Sequence, residues 1–365
     1  MSHGTIVILG SGETAPGMVK VHRAILDSLE TVRGVTLDTP YGFQENVPQL
    51  TEKIISFFAT SLTTTLNPAS LTSFEKTTEL QHEIFRDLLR NANYAFAGPG
   101  SPSYALKQWL PLGLGELLED VLARDGVVCF SSAAALTLGE RTAPIYEMYK
   151  VGDPPSWLPG LDLLRVAGLR CAIIPHFDNA EGGNHDTRFC YLGEPRLLRL
   201  EALLDPEVAV LGVDEHTAVI INLTADSLEV RGRGAAYWRS GGTQRTLEQG
   251  APIPLSALRN SPPRPARTVE VDSAWLETPE SLGEIVLTGG PDATVALARL
   301  VQMAATGGAG FIEAAPLVDG ILAARAVARA AKLFDLSDQL RDLLTNNAIE
   351  VSDTADGVTW SLRSE

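Results

Sequence analysis

The chain has 365 residues, 45% of them hydrophobic, enough to bury the core of a large α/β domain and a smaller one. A formal net charge of -16 and an isoelectric point near 4.8 exclude the basic footprint of a dedicated nucleic-acid-binding protein and disfavour an anionic membrane surface. The longest apolar stretches, such as 110–122, carry Glu116, Glu119 and Asp120, so no span of membrane length is present.

Met1-Ser2-His3-Gly4 leads straight into an apolar strand at 5–9, without the basic-then-apolar pattern of a signal peptide, and the expected location is the cytoplasm. Cys129, Cys171 and Cys190 are too widely spaced for a disulfide framework or a Cys-x-x-Cys site and read as buried thiols of a reducing compartment. Gly10-Ser11-Gly12 turns the first strand into a helix at 18–29. Further strands are predicted at 34–39, 94–97, 127–130, 170–174 and 208–212, with helices at 47–58, 74–90 and 104–123. This alternation predicts an α/β fold with a mostly parallel sheet flanked by helices.

After Thr217 the pattern changes to hairpins, with Ser240-Gly241-Gly242 turning between 235–238 and 244–247. Pro252, Pro254, Pro262, Pro263 and Pro265 then mark a stiff connector. The expected division is 1–250 as the main domain, 251–275 as the connector and 276–365 as a small α+β tail module. Within the tail, helices are predicted at 317–334 and 335–346, and a hairpin pairs 349–351 with 358–360 across Asp356-Gly357.

Chemistry concentrates at three strand ends, where open α/β sheets place their ligands. In Cys129-Phe130-Ser131-Ser132-Ala133-Ala134-Ala135 a serine stands where a buried strand gives way to a small-residue helix start; such a hydroxyl is lifted clear of the sheet beside amides able to receive negative charge. An ordinary helix N-cap has the same look. The second strand end is Pro175-His176-Phe177-Asp178-Asn179, opening a polar loop through His185, Asp186 and Arg188; the third is Gly212-Val213-Asp214-Glu215-His216. A hydroxyl nucleophile needs a base, and the base needs a carboxylate to fix its tautomer, and the chain supplies serine, histidine and carboxylate in that order. Asp214 and Glu215 are adjacent candidates that must point to opposite faces.

At these residues the sequence resembles the serine peptidases of the aspartyl dipeptidase (peptidase E) and cyanophycinase family, whose fold is related to class I glutamine amidotransferases. The matching motifs are Phe96-Ala97-Gly98-Pro99-Gly100-Ser101, Ser132-Ala133-Ala134-Ala135, Pro175-His176-Phe177 and Gly212-Val213-Asp214-Glu215-His216-Thr217-Ala218, spread over about the first 230 residues. The resemblance implies Ser132 as nucleophile, His176 as base and Glu215 as its orienter, with an oxyanion hole from the backbone of Gly100 and Ala133. Pro99 has no N–H to give, which favours Gly100 as the first donor. Arg188, Asn179 and Ser101 are the candidate substrate-binding residues; Arg188 could clamp a carboxylate with its planar fork or hold the loop through Asp186 or Glu181. Tyr146, Tyr149 and Lys150 are placed to line the pocket.

The motif departs from Gly-x-Ser-x-Gly at Phe130 and Ala134. Phenylalanine at the crowded position implies an opened turn or a lost activity. Two other chemistries compete. Gly10-Ser11-Gly12-Glu13-Thr14-Ala15, with Asp38 ending the next strand, fits a dinucleotide-binding turn. His176, Asp178, His185, Asp186 and His216 could form a metal cluster, although no tight ligand spacing supports one.

The last part of the tail, 317–362, looks like the C-terminal piece of cysteinyl-tRNA synthetases, through Ala324-Arg325, Ala328-Arg329, Lys332, Phe334, Asp338, Arg341-Asp342, Ile349, Asp353-Thr354, Gly357 and Trp360. That likeness implies tRNA, yet Asp335, Asp338, Asp342, Glu350, Asp353 and Asp356 leave no basic stripe, so a structural or docking module is expected. The sequence therefore predicts a cytoplasmic serine hydrolase of the peptidase type acting on a small peptide or amide, with no cofactor, no metal and no membrane, a homodimer being left open. The alternative is a non-catalytic ligand- or partner-binding protein on the same fold.

Overall fold

The computed structural model describes residues 3–240 and 242–263 and, beyond them, scattered residues between 322 and 362. The chain divides into two compact units, Met1–Val269 and Glu270–Glu365.

In the first unit, β1 (Thr5–Leu9), β2 (Gly34–Leu37), β3 (Leu66–Ala69), β4 (Tyr94–Ala97) and β5 (Val127–Ser131) are parallel, in the spatial order β1-β5-β4-β2-β3. A two-residue ribbon, β6 (Arg141–Thr142) with β7 (Leu158–Pro159), is followed by the parallel pair β8 (Cys171–Ile174) and β9 (Ala209–Val213). Then β10 (Thr217–Asn222), β11 (Ser227–Gly232) and β14 (Ile253–Pro254) extend the first sheet antiparallel from β1 to eight strands. The hairpin β12 (Ala236–Ser240) and β13 (Thr243–Leu247) pairs with β9, giving a second sheet in the order β13-β12-β9-β8. The mostly parallel α/β class read from the sequence is what the chain adopts, with the predicted hairpin in place.

The central strands read as unbroken apolar runs because both of their faces are buried. Along β1, Ile6 and Ile8 enter one core with Val128, Phe130 and Trp109, while Val7 and Leu9 enter another with Cys129, Phe58 and Phe96. The helices covering these cores are α1 (Val19–Leu26), α2 (Val47–Leu62), α3 (Glu79–Asn91), α4 (Pro102–Leu112), α5 (Leu114–Ala123), α6 (Ala133–Thr137) and α8 (Ser256–Arg259), while α7 (Gly193–Ala202) packs Leu197 and Leu200 into a third core with Ile174 and Val210.

Two predicted helices differ, and one strand is additional. The helix expected over 104–123 is two, because Gly113 takes φ 75° and serves as the C-cap of α4 and the N-cap of α5. The helix expected over 74–90 begins at Glu79, where Thr78 and Gln81 form a reciprocal capping box. Strand β3 was not anticipated; it is four residues long, contains Pro68 and lies at the sheet edge, where proline is tolerated.

In the second unit β15 (Ile349–Thr354) and β16 (Gly357–Leu362) form an antiparallel hairpin. The helices predicted at 317–334 and 335–346 lie outside the described residues except at scattered positions, as does the connector beyond 263. Among the described residues no helix is long and apolar enough to cross a membrane.

Candidate active site

Strand β5 ends in a sharp turn at Ser132, whose backbone takes φ 51° and ψ -119°. A non-glycine residue with that geometry costs of order 1–3 kcal/mol. It is held there by the hydrogen bond from Ser132 N to Leu9 O at 3.1 Å and by the buried alanines that open α6.

The Ser132 hydroxyl lies 2.9 Å from His176 Nε2. His176, just beyond β8 and also at positive φ (48°), places Nδ1 2.7 Å from Glu215 Oε1. With the Nδ1 proton donated to the carboxylate, Nε2 is left as an acceptor for the serine proton. The same Glu215 oxygen accepts from Asn179 Nδ2 at 3.1 Å, and the Glu215 backbone N–H is fixed by Asp178 Oδ1 at 2.7 Å. Burial pulls the Glu215 carboxyl up, but the hydrogen bonds from His176 and Asn179 outweigh it and hold the group below its ordinary value.

Asp214 points to the opposite face. Its Oδ2 accepts from Ala235 N at 2.9 Å and from Tyr237 Oη at 3.2 Å. Burial, together with the charges of Asp178 and Glu215, pushes its carboxyl up to about 6. The alternation of a strand end thus gives one carboxylate to the histidine and the other to the second sheet.

Gly100 has φ 147°, and a Cβ there would strike the Pro40 carbonyl, so only glycine fits. Ala134 N donates to Gly98 O at 3.3 Å and ties the glycine-rich loop to the start of α6. Among the described residues the Gly100 and Ala133 amides meet no protein acceptor.

Phe130 neither opens nor blocks the turn. Its ring is fully buried and packs on Trp109 of α4 with centroids 5.7 Å apart, which turns the bulk into the core. Ser131 is buried as well and donates to Glu13 Oε2 at 2.8 Å.

The three residues expected to bind substrate already have partners within the chain. Arg188 forms a two-pronged pair with Asp186, at 2.9 and 2.8 Å, holding that carboxyl well below its usual range. Asn179 is 1% exposed, with its oxygen accepting from Glu181 N and its amide on Glu215. Ser101 is the N-cap of α4; its Oγ accepts from Tyr104 N at 3.2 Å and lies 3.0 Å from Ser103 Oγ.

The dinucleotide reading of the Gly10 turn does not hold. A Cβ on Gly10 would collide with the Asp214 carbonyl and one on Gly12 with the His216 ring, so the turn is packed against the 214–217 segment. Asp38, the residue required for a ribose, is buried and accepts from Leu71 N at 2.9 Å. Among the described residues no three His, Cys, Asp or Glu side chains are grouped to hold a metal ion. Sequence reasoning missed Glu13 and the roles of Asp178 and Asn179 as struts of Glu215. A carboxylate inside a glycine turn at the sheet rim is the one signal that could have flagged Glu13.

No protein-family model matches the chain. The crystal structure of a peptidase from an acI-B1 Actinobacterium superposes on 69% of this chain and 97% of its own, with a TM-score of 0.56 and 17% sequence identity. The fold is a peptidase-like α/β fold. That fold agrees with the peptidase E resemblance of the four motifs. A putative peptidase E protein from Listeria monocytogenes EGD-e, 12% identical, covers 64% of this chain and 100% of its own at a TM-score of 0.44. Outside the peptidase-like fold, 49 residues are 51% identical to a cysteine--tRNA ligase of Pseudarthrobacter chlorophenolicus, in keeping with the likeness read in the tail. The match takes in 13% of this chain, and the chain spans 10% of the length of that curated relative.

Proposed function

We propose that the chain is a serine hydrolase of the peptidase type that cleaves a small peptide or amide through an acyl-enzyme. The observation that carries this reading is the unbroken line from Ser132 through His176 to Glu215, at 2.9 and 2.7 Å. Ser132 Oγ attacks the carbonyl carbon while His176 Nε2 takes its proton, and Glu215 stabilises the imidazolium. The carbonyl oxygen, now negative, is received by the Gly100 and Ala133 amides, a contribution worth about 3–4 kcal/mol per donor in comparable sites. His176 then gives the proton to the departing amine as the C–N bond breaks. Water, deprotonated by the same imidazole, attacks the ester and releases the acid and free serine. Apart from the hydrolytic water, every step uses this chain's own side chains and backbone.

A cytoplasmic setting goes with this reading, supported by the cysteines, all three of which are free and buried. The tail is taken as a docking or structural module, since its acidic residues oppose phosphate binding.

A fluorophosphonate probe reacts with a serine activated by its base and needs no knowledge of the substrate. The wild type and Ser131→Ala are expected to label, Ser132→Ala and His176→Ala not. A folded wild type that fails to label would make the chain a non-catalytic binding protein.

A further inference from the structure

Next to the glycine-rich loop lies a cavity of about 760 Å³, within the range of small-molecule sites. It begins at Ser101, the residue after the proposed oxyanion donor Gly100. Its walls are chiefly apolar and include the rings of Phe43, Tyr104 and Tyr146. Phe43 and Tyr146 are 53% and 40% exposed, so two large rings stand open to water at its rim. Phe43 already meets Tyr104 edge-on at 5.2 Å, an arrangement that a further ring can extend.

The rim also carries charge. Lys107 and Lys150 line the cavity, two of only six lysines in a strongly acidic chain, and neither enters an ion pair among the described residues. Lys150 Nζ sits 5.5 Å above the Tyr146 ring. Glu147, which also lines the cavity, carries the opposite charge. Glu147 Oε1 accepts from Ser103 Oγ, and its other oxygen is buried without a partner. An acidic side chain pushed into the cavity would meet that carboxylate, whereas an anion held at the rim would meet two ammonium groups.

Resting on the hydrolase reading, we infer that this cavity is the subsite for an aromatic residue bearing the free C-terminal carboxylate of a short peptide. The ring enters among Phe43, Tyr104 and Tyr146, and the carboxylate stays at the rim with Lys107 and Lys150. A hydroxyl chain links the cavity wall to Ser101, the residue after Gly100. Because Ser103 gives its proton to Glu147, its oxygen accepts from Ser101, which brackets the loop that carries Gly100.

The test is calorimetric titration of the full chain with N-acetylphenylalanine, N-acetylphenylalanine amide and N-acetylalanine, together with the fluorophosphonate labelling rate in the presence of each. The wild type should bind the aromatic acid about tenfold more tightly than either comparison ligand. In Lys107→Met/Lys150→Met the acid should fall to the level of the amide, and in Tyr146→Ala the preference for phenylalanine over alanine should shrink. The bound acid should also slow labelling of Ser132. Equal binding of acid and amide by the wild type, or an unchanged labelling rate at saturating acid, overturns the inference while leaving the hydrolase reading intact. Absence of all labelling overturns the hydrolase reading and with it the assignment as a substrate subsite, and the titrations then still decide the ligand class.

Discussion

Ser131 and Ser132 are neighbours whose hydroxyls leave the end of β5 for different partners. Ser131 gives its proton to Glu13 at 2.8 Å, and Ser132 lies 2.9 Å from His176. One peptide bond separates a buried structural hydroxyl from one with a base beside it.

Ser131→Ala is therefore expected to lower stability and to spare reactivity. Removing the buried donor strips Glu13 of its partner, which costs about 1–3 kcal/mol. A fall in denaturant midpoint with fluorophosphonate labelling retained is the expected pair of results. Loss of labelling with stability unchanged would move the nucleophile to Ser131.

Glu215→Gln and Asp214→Asn should separate the two carboxylates. Glu215→Gln puts an amide against His176 Nδ1 and should slow labelling by about 10²- to 10⁴-fold. Asp214→Asn should leave labelling in place but change the pH dependence of stability. The folded chain raises Asp214 from 3.8 to about 6, chiefly by burial, so it keeps a proton that the unfolded chain releases. The Asp214 contribution to stability is thus fully present below pH 3.8 and is lost as pH rises to about 6. Melting temperatures of Asp214→Asn across this window should fall less than those of the wild type. Labelling that survives Glu215→Gln and collapses in Asp214→Asn would exchange their roles.

Phe130→Gly restores the small residue usual two positions before a nucleophile and should nonetheless harm the protein. The ring it removes is wholly buried against Trp109, and emptying such a site costs about 3–5 kcal/mol. Thermal melting of Phe130→Gly and Phe130→Leu should show a large loss and a smaller one. A Phe130→Gly protein as stable as the wild type, with faster labelling, would mean that the ring strains the turn.

The tail makes a prediction about nucleic acid. Filter binding of the full chain to total tRNA at moderate salt should give no tight complex, because its acidic residues release no counterions from phosphate. Tight binding that weakens steeply with salt would replace the docking role with tRNA recognition.

What the sequence made legible follows from how each feature is encoded. Strands β4 and β5 stand out because both faces are buried and the residues run apolar without interruption. Edge strand β3 is hidden by Asn67 and Pro68, and the break between α4 and α5 is marked by Pro111, Gly113 and Gly115 but masked by the apolar periodicity that continues across them. In the site, the serine, histidine and carboxylate sit at strand ends and could be placed from pattern. The partners of Arg188 and Asn179 could not, since a loop side chain finds Asp186 or Glu215 only once the chain is folded. The direction of the Phe130 ring was hidden for the same reason: residue type marks a crowded position, and only the position of Trp109 shows where the ring goes.

Ser132 and His176 follow strands of different sheets, yet the backbone of each is anchored to one spot at the end of β1. Ser132 N donates to Leu9 O and His176 N to Gly10 O, while Gly10 N returns a bond to Thr217 O beside Glu215. Leu9-Gly10 works like the datum edge of a machined part, from which separate pieces are measured. The 2.9 Å spacing of serine and imidazole is thus built on two adjacent carbonyls of a single strand end, where a side chain on Gly10 would strike the Asp214 carbonyl.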